Sequence, residues 1–483
     1  MKERILICGA GIAGLSAAMA LSRGDRDVTV IDRDPPPPEL GPDEAFESWE
    51  RKGVTQLRHS HVFLGRLIKL IRDRHPALWT ALLEAGAREF TFADGLSPLM
   101  RGRYRYVAGD EDMSFLFSRR TTLELVMRRY AATLPGVTFV TGAGLHGAIV
   151  ENGTVAGVIA EIDGVRREIR ADSIVDATGR NTTFPEWLGL DGTIADTSPA
   201  GILYFTRHYR LLDGAAEPER DGPPGAGDLG YIKFGVFPAD NGHFSITLAV
   251  PEIETGLRTA MLGPEVFDAT CRAIPGTARW IDPARAEPAS KVFGMGNLHS
   301  VWRRYAPEGT PRIRHYYPIG DAALRTNPLY GRGCSTGAIQ AHLLADIFAE
   351  TADPAARLIA LEQRTLTELR PFYDVMVRQD KQAIRRAEQE LTPGHQPRLK
   401  ARMTKSFLED AIGPATRSDI DVLRALMRPF HMLESPTAWT KRAGIMARVL
   451  KMWATPKAMK KRYYLPKLGP DRAEMMTALG LKA

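Results

Sequence analysis

The chain has 483 residues, 44% of them hydrophobic and 25% charged, more than one core usually holds and too apolar for a mainly disordered or collagen-like chain. Three cysteines, Cys8, Cys271 and Cys334, show neither metal-ligand spacing nor a disulfide framework, which points to a reducing compartment, the cytoplasm. The net charge of +7 is concentrated, because Ser435 to Pro470 holds nine Lys or Arg residues and no acid. Such a region can meet an anionic membrane, an acidic carrier protein or nucleic acid, or form a solvated face. Membrane or carrier contact is kept as an expectation; a nucleic-acid partner is not.

In chain order, "RILICGAGIAGLSAAMALSRGDRDVTVIDRD" reads as an apolar strand, a glycine turn, a small-residue helix and a second strand ending at Asp32, one βαβ unit. The glycine spacing favours this reading over a signal peptide. "DPPPPELGPDEAFESWERKGVTQ" is Pro-rich and acidic and reads as a mobile loop able to act as a lid. "HVFLGRLIKLIRDRHPALWTALLEAGA" predicts two helices parted at Pro76. "SRRTTLELVMRRYAATLPGVTFVTG" predicts a helix and a strand, and "GTVAGVIAEIDGVRREIRADSIVDATG" predicts strands ending at Asp176.

A different texture begins near Pro185. "GYIKFGVFPADNGHFSITLAV" places an Asn241-Gly242 turn between strands, with Phe244, Ile246, Leu248 and Val250 alternating, an antiparallel sheet with one covered face. "GAAEPERDGPPGAGDLG" is a flexible excursion. "YPIGDAALRTNPLYGRGCSTGAIQ" returns to strand, turn and helix, and from about Ala341 the chain reads mainly helical, broken at Pro371, Pro393, Pro429 and Pro456.

Gly9, Gly11 and Gly14 follow the G-x-G-x-x-G pattern, in which one glycine turns the chain, one lets a diphosphate approach the backbone and one lets the helix pack. Amides at the helix start hold phosphate charge, and Asp32 is placed for a ribose hydroxyl. Far downstream, Gly320 ends a strand so that Asp321 can reach a polyol, and Pro328, Gly331 and Gly333 form a turn that can lie against a flat ring. The next helix aims its N-terminus at that ring, which suits the negative charge of a reduced flavin. The ligand that uses all three features is extended FAD.

"GAGIAG" with Asp32-Arg33, "SRRTTLE", "DATGR" and "GDAALRTNPLYGRG" together resemble the FAD-dependent monooxygenases of the p-hydroxybenzoate hydroxylase and squalene epoxidase superfamily, relatives of geranylgeranyl reductases and flavin-dependent halogenases. The resemblance covers roughly residues 1–345. It implies an α/β fold, with a discontinuous Rossmann-like FAD-binding domain of glutathione-reductase type (1–75, 115–185 and 291–345). It also implies an antiparallel-sheet substrate domain (76–114 and 186–290) and a helical C-terminal region (346–483). It puts cofactor contacts at Arg33, Arg120, Gly179 and Asp321, and brings the chain near Arg58, His59 and His61 close to the flavin. There these three would orient substrate or hold charge, or serve only in helix-entry hydrogen bonding. No acid or cysteine stands at a spacing that would make His59-x-His61 a metal site.

The implied activity is insertion of one oxygen atom from O2, by epoxidation or hydroxylation through a flavin C4a-hydroperoxide, into a sizeable apolar substrate, with NADPH or NADH as donor, directly or through a separate reductase. Phe237, Phe244 and Trp79 would wall the pocket, with loops 34–56 and 214–230 closing it. The absence of W-x-W-x-I-P weakens the halogenase reading. Two alternatives stay open: a reductase saturating an isoprenoid-type double bond, and a flavin-bearing interaction protein attached to a membrane through an interfacial helix carrying Ile445, Val449, Leu450, Met452 and Trp453, unless those residues pack on the body.

Overall fold

The computed structural model describes residues 2–481 apart from Asp191, Pro393 and Pro397, so the expected break at Pro393 lies outside the described residues. The organising element is a parallel sheet of five strands in the order Tyr316–Pro318, Ser173–Asp176, Glu3–Cys8, Arg26–Asp32 and Val137–Thr141. Its central strands are near-continuous apolar runs because both faces are covered. Helix Ile12–Leu21, built of small residues, packs against helix Gly333–Glu350, and this contact unites chain segments three hundred residues apart. Leu78 and Leu82 of helix Pro76–Glu84, which the sequence reading assigned to the substrate part, lie in the core of this sheet, and Trp79 packs there too.

The second large sheet is antiparallel. Strands Ala226–Asp228, Lys233–Pro238, His243–Pro251, Ile202–Leu211 and Ala286–Pro288 follow one another, and Phe293–Met295 also pairs with Ile202–Leu211. Asn241 and Gly242 have φ of 53° and 72°, as a two-residue hairpin turn requires, so the expected hairpin forms there. The expectation of one covered face does not hold. Phe244, Ile246, Leu248 and Val250 enter an apolar core with Tyr209 and Phe267, while Ser245, Thr247 and Ala249 on the opposite face are shielded as well.

Two further expectations are corrected. Pro371 does not end a helix, for Pro354–Glu390 runs through it over 37 residues. Its ring removes one backbone hydrogen bond, a cost of about 3 kcal/mol, and burial of Leu369, Phe372, Tyr373, Met376 and Val377 against Trp302 and Leu64 outweighs it. Pro429 likewise sits inside helix Ile420–Phe430, near its end, whereas Pro456 does follow a helix end at Ala454. The Pro-rich stretch after Asp32 is not a loose loop: it holds helix Pro42–Ser48, with Ala45, Phe46, Trp49 and Arg51 buried. The apolar face of helix Ala443–Ala454 packs through Ile445, Val449, Met452 and Trp453 onto Phe407, Ala411 and Ala415, so this helix is not the interfacial one. Among the described residues no helix is long and apolar enough to cross a membrane.

Candidate functional site

The glycine turn sits at the C-terminal end of the parallel sheet. A Cβ at Gly9 would lie 2.5 Å from the Ala177 carbonyl oxygen, and one at Gly14 only 1.9 Å from that of Gly9. Gly9 is demanded by packing against the Asp176–Gly179 turn, and Gly14 by the close approach of the helix to Gly9 itself. A Cβ at Gly11 would meet nothing within 4 Å, so this residue faces open space in front of the first turn of helix Ile12–Leu21. No side chain caps that helix and its first turn holds no acid, which leaves its amides for an anion.

Asp32 is buried at the end of its strand. Its Oδ2 accepts from the Ala10 amide at 2.5 Å and from Arg51 at 2.9 Å, and Oδ1 accepts from the Asp34 amide at 2.8 Å. One acceptor position on Oδ1 is left for a hydroxyl. Arg33 points outward to the Lys52 carbonyl. Sequence reading missed Arg51, whose guanidinium also donates to Glu124 Oε2 at 2.6 Å and to the Ala10 carbonyl at 3.1 Å. A signal was present: Ala45, Phe46 and Trp49 stand at helical spacing and mark a packed element.

Glu124, fully buried, joins the two ends of the site. Its Oε1 accepts from Arg120 Nε at 2.6 Å, and Arg120 in turn contacts His61 Nε2 at 3.2 Å. Burial opposes the charge on Arg120, but Glu124, with Cys334 and Asp321, overrides it and raises the pKa. His61 Nδ1 donates to the His59 carbonyl at 2.9 Å, leaving Nε2 as the acceptor for Arg120. Burial, then Arg120, drive the His61 pKa well below the ordinary histidine value. His59 is likewise lowered, to about 4, by burial and by Arg180. Burial thus keeps both rings in the neutral form at pH 7. Arg58 turns away to the Glu47 carbonyl at 3.3 Å and lies over the Phe46 ring.

Gly320 has φ of +60°, and a Cβ there would lie 2.8 Å from Ala13, so the downstream strand end closes directly on the first helix. Asp321 makes no hydrogen bond to any described residue; burial raises its pKa, opposed by Arg180, Arg325 and Arg120. The Pro328–Tyr330 turn is started by Asn327, whose Oδ1 accepts from the Leu329 amide at 3.0 Å, and is closed by Gly331 at φ +65° beside Val62. Pro328 and Gly333 are exposed, and no side chain caps helix Gly333–Glu350. Asn327 is anchored to Tyr204 and to Asp380, whose pKa burial pushes up to about 6. Gly179 has φ of +85° with nothing within 4 Å of its Cβ position, and the next residue, Arg180, keeps its Nε buried without a partner.

Facing this turn, the antiparallel sheet presents a continuous hydrogen-bonded line. His59 Nδ1 meets Thr206 Oγ1 at 3.0 Å, Thr206 meets Thr247 at 2.7 Å, Thr247 donates to Ser60 at 2.7 Å, and Ser60 meets Ser245 at 2.7 Å. Phe237 pairs with Ser245 and shares this face; Phe244 is on the other, stacked on Tyr209 and tilted against Trp280, and so does not wall the site. Thr206, Thr247, Ser60 and Ser245 were invisible in the sequence because hydroxyl residues at alternate strand positions read as a solvated face.

The residues present fit an extended flavin dinucleotide. Open space at Gly11, the unpartnered Nε of Arg180 and the unbonded carboxyl of Asp321 lie along one path from the first helix to the Pro328 turn. Residues 4–112 match the family described as FAD dependent oxidoreductase (DAO). Protein Rv3254 of Mycobacterium tuberculosis (strain ATCC 25618 / H37Rv) is 29% identical over 371 residues, 70% of this chain and 72% of that one. Two solved structures share the fold: flavin-dependent brominase Bmp2, with a TM-score of 0.56 and 16% identity over 93% of this chain and 99% of its own, and OxyS anhydrotetracycline hydroxylase from Streptomyces rimosus, with a TM-score of 0.56 and 16% identity over 90% and 76%. Residues 4–112 are thus similar to FAD dependent oxidoreductases, and the chain as a whole has the fold of these flavoenzymes.

Proposed function

We propose that the chain is an FAD-dependent monooxygenase that inserts one oxygen atom of O2, by hydroxylation or epoxidation, into a sizeable and largely apolar substrate. Electrons come from NADPH or NADH, directly or through a separate reductase. The observation that carries this reading is the character of the site itself. The histidines facing the Pro328 turn are kept neutral by burial, and the hydroxyls beside them are paired with one another. Such a surface orients substrate and excludes water.

FAD, when bound and reduced, would supply the electrons that activate O2, one atom of which goes to the substrate and the other to water. The chain does the rest. Gly11 and the amides of the first helix would take the diphosphate, and Asp32 and Asp321 the ribose and ribityl hydroxyls. Arg120 and Arg180 would balance negative charge along the path, with the N-terminus of helix Gly333–Glu350 at its far end. On this reading segments 1–75, 115–185 and 291–345 serve the cofactor, and the sheet within 186–290 serves the substrate.

The test is anaerobic reduction of the purified yellow protein with NADPH or NADH, followed by oxygen and candidate polycyclic or terpenoid substrates. The expected outcome is oxygen uptake matched by a product one oxygen atom heavier. A saturated product formed without oxygen would establish the reductase instead.

A further inference from the structure

Helix Leu399–Ser406 is unlike every other helix of comparable length in the described chain, because none of its residues is buried. It is the uncovered start of a helical run that continues through the π-helical turn Phe407–Ile412 to Ser418, where Asp410, Ala411 and Ala415 are buried. The face it offers is apolar and uncovered. Leu399 and Met403, four residues apart, stand one above the other and are 70% and 52% exposed, and Ser406 continues the line. Only there does the helix reach the body, where the Trp453 indole donates to Ser406 at 3.1 Å and packs edge-on to Phe407.

The surroundings extend the same chemistry. Lys457, paired with Asp410 at 3.2 Å, brings the 3-10 turn Lys457–Tyr463 alongside, with Met459 at 73% exposure. Arg398, Lys400 and Arg402 have no carboxylate partner among the described residues, and Lys405 has only Glu409 at 3.9 Å. Lys461 and Arg462 add two exposed cations next to Met459. Elsewhere in the basic region most charges are paired: Arg448 with Asp419 and Asp421, Arg442 with Glu434 and Lys467 with Glu474, while buried Lys460 caps the carbonyls of Asp410 and Met452; exposed Lys441 and Lys451 have no carboxylate partner among the described residues. Unpaired cations and uncovered apolar side chains therefore occur together on helix Leu399–Ser406 and on the Lys457–Tyr463 turn.

We propose that this patch, helix Leu399–Ser406 with the adjoining Lys457–Tyr463 turn, attaches the protein peripherally to an anionic lipid bilayer. Leu399, Met403 and Met459 enter the interfacial region, and the lysines and arginines meet lipid phosphates, their stems lying along the apolar layer. Charge complementarity selects an anionic bilayer over a neutral one. The site is independent of the flavin chemistry.

The experiment is flotation of the full-length yellow protein with vesicles of neutral phosphatidylcholine, with and without about one-third anionic phosphatidylglycerol. Binding is expected only to the anionic vesicles, and is expected to fall by roughly tenfold or more when monovalent salt rises from about 50 mM to about 500 mM. The triple variant Lys400→Glu, Arg402→Glu, Lys405→Glu and the double variant Leu399→Asp, Met403→Asp are each expected to lose binding while retaining flavin and the parent Tm. Equal binding to both vesicle types, binding untouched by either variant, or no flotation would overturn the proposal. Sedimentation velocity covers another occupant: an oligomer dissolved by Leu399→Asp, Met403→Asp would assign the patch to a second copy of the chain and overturn it equally.

Discussion

Gly11 and Gly14 stand three residues apart in one turn and answer differently to an added methyl group. At Gly14 the methyl would overlap the Gly9 carbonyl, so Gly14→Ala is expected to prevent accumulation of folded protein. At Gly11 it meets empty space, and the backbone there, with φ of −77°, admits any residue. Gly11→Val should therefore fold with an unchanged Tm in its FAD-free form while binding FAD roughly 100-fold or more weakly, because the branched side chain fills the path of the diphosphate. Fluorescence titration with FAD checks the second expectation and differential scanning calorimetry the first. A Gly11→Val protein that binds FAD like the parent would remove the diphosphate from this turn. Arg51 makes the complementary case. It is 3% exposed among Asp32, Asp34 and Glu124, so Arg51→Met strands three carboxylates and is expected to cost about 3–5 kcal/mol in urea unfolding, whereas Arg33→Ala, at the surface, should stay within about 0.5 kcal/mol.

Strand His243–Pro251 shows what an element demands beyond its pattern. Alternation of Phe244, Ile246, Leu248 and Val250 identifies the strand and its apolar face, and Ile246→Ala should cost about 2–5 kcal/mol in unfolding. The same alternation suggests that Thr247 is solvated. Instead Thr247 links Thr206 to Ser60 across the second face, so the isosteric Thr247→Val is expected to cost about 1–3 kcal/mol by leaving hydroxyls unpaired; a neutral result would show that the line carries no stability. This contrast explains what was legible beforehand. The βαβ unit, the helix break at Pro76, the Asn241-Gly242 hairpin and the strand into Gly320 all rest on neighbours in sequence, and each is found. Arg51 in its carboxylate cage, the continuous helix through Pro371 and the uncovered helix Leu399–Ser406 depend on partners up to hundreds of residues away. Local pattern therefore assigned Arg51 to a loop and left open whether the apolar residues of helix Ala443–Ala454 are interfacial or packed; they are packed.

At the scale of the molecule the buried histidines act together. Burial holds His59, His75 and His243 at about 4 and His208 and His431 at about 3, and lowers His61 and His342 as well. Unfolding returns them towards 6.5, so between pH 6.5 and 4 the unfolded chain binds more protons than the native one, and their contribution, complete above pH 6.5, is lost as pH falls. Three buried acids work in the opposite sense: burial raises Asp176, Asp321 and Asp380, the last to about 6, so their contribution is present at low pH and lost as pH rises. Seven histidines outnumber three carboxyls, and the histidines prevail. With each proton worth about 1.4 kcal/mol per pH unit, a net uptake of two or more at pH 5 makes stability fall by at least about 3 kcal/mol between pH 6 and pH 5. Urea midpoints of the FAD-free protein at half-unit steps from pH 7.5 to 4.5 measure this directly. A flat profile through that range would mean the imidazoles are not neutral in the folded state, and would take with it the description of His59 and His61 as uncharged groups facing the flavin turn.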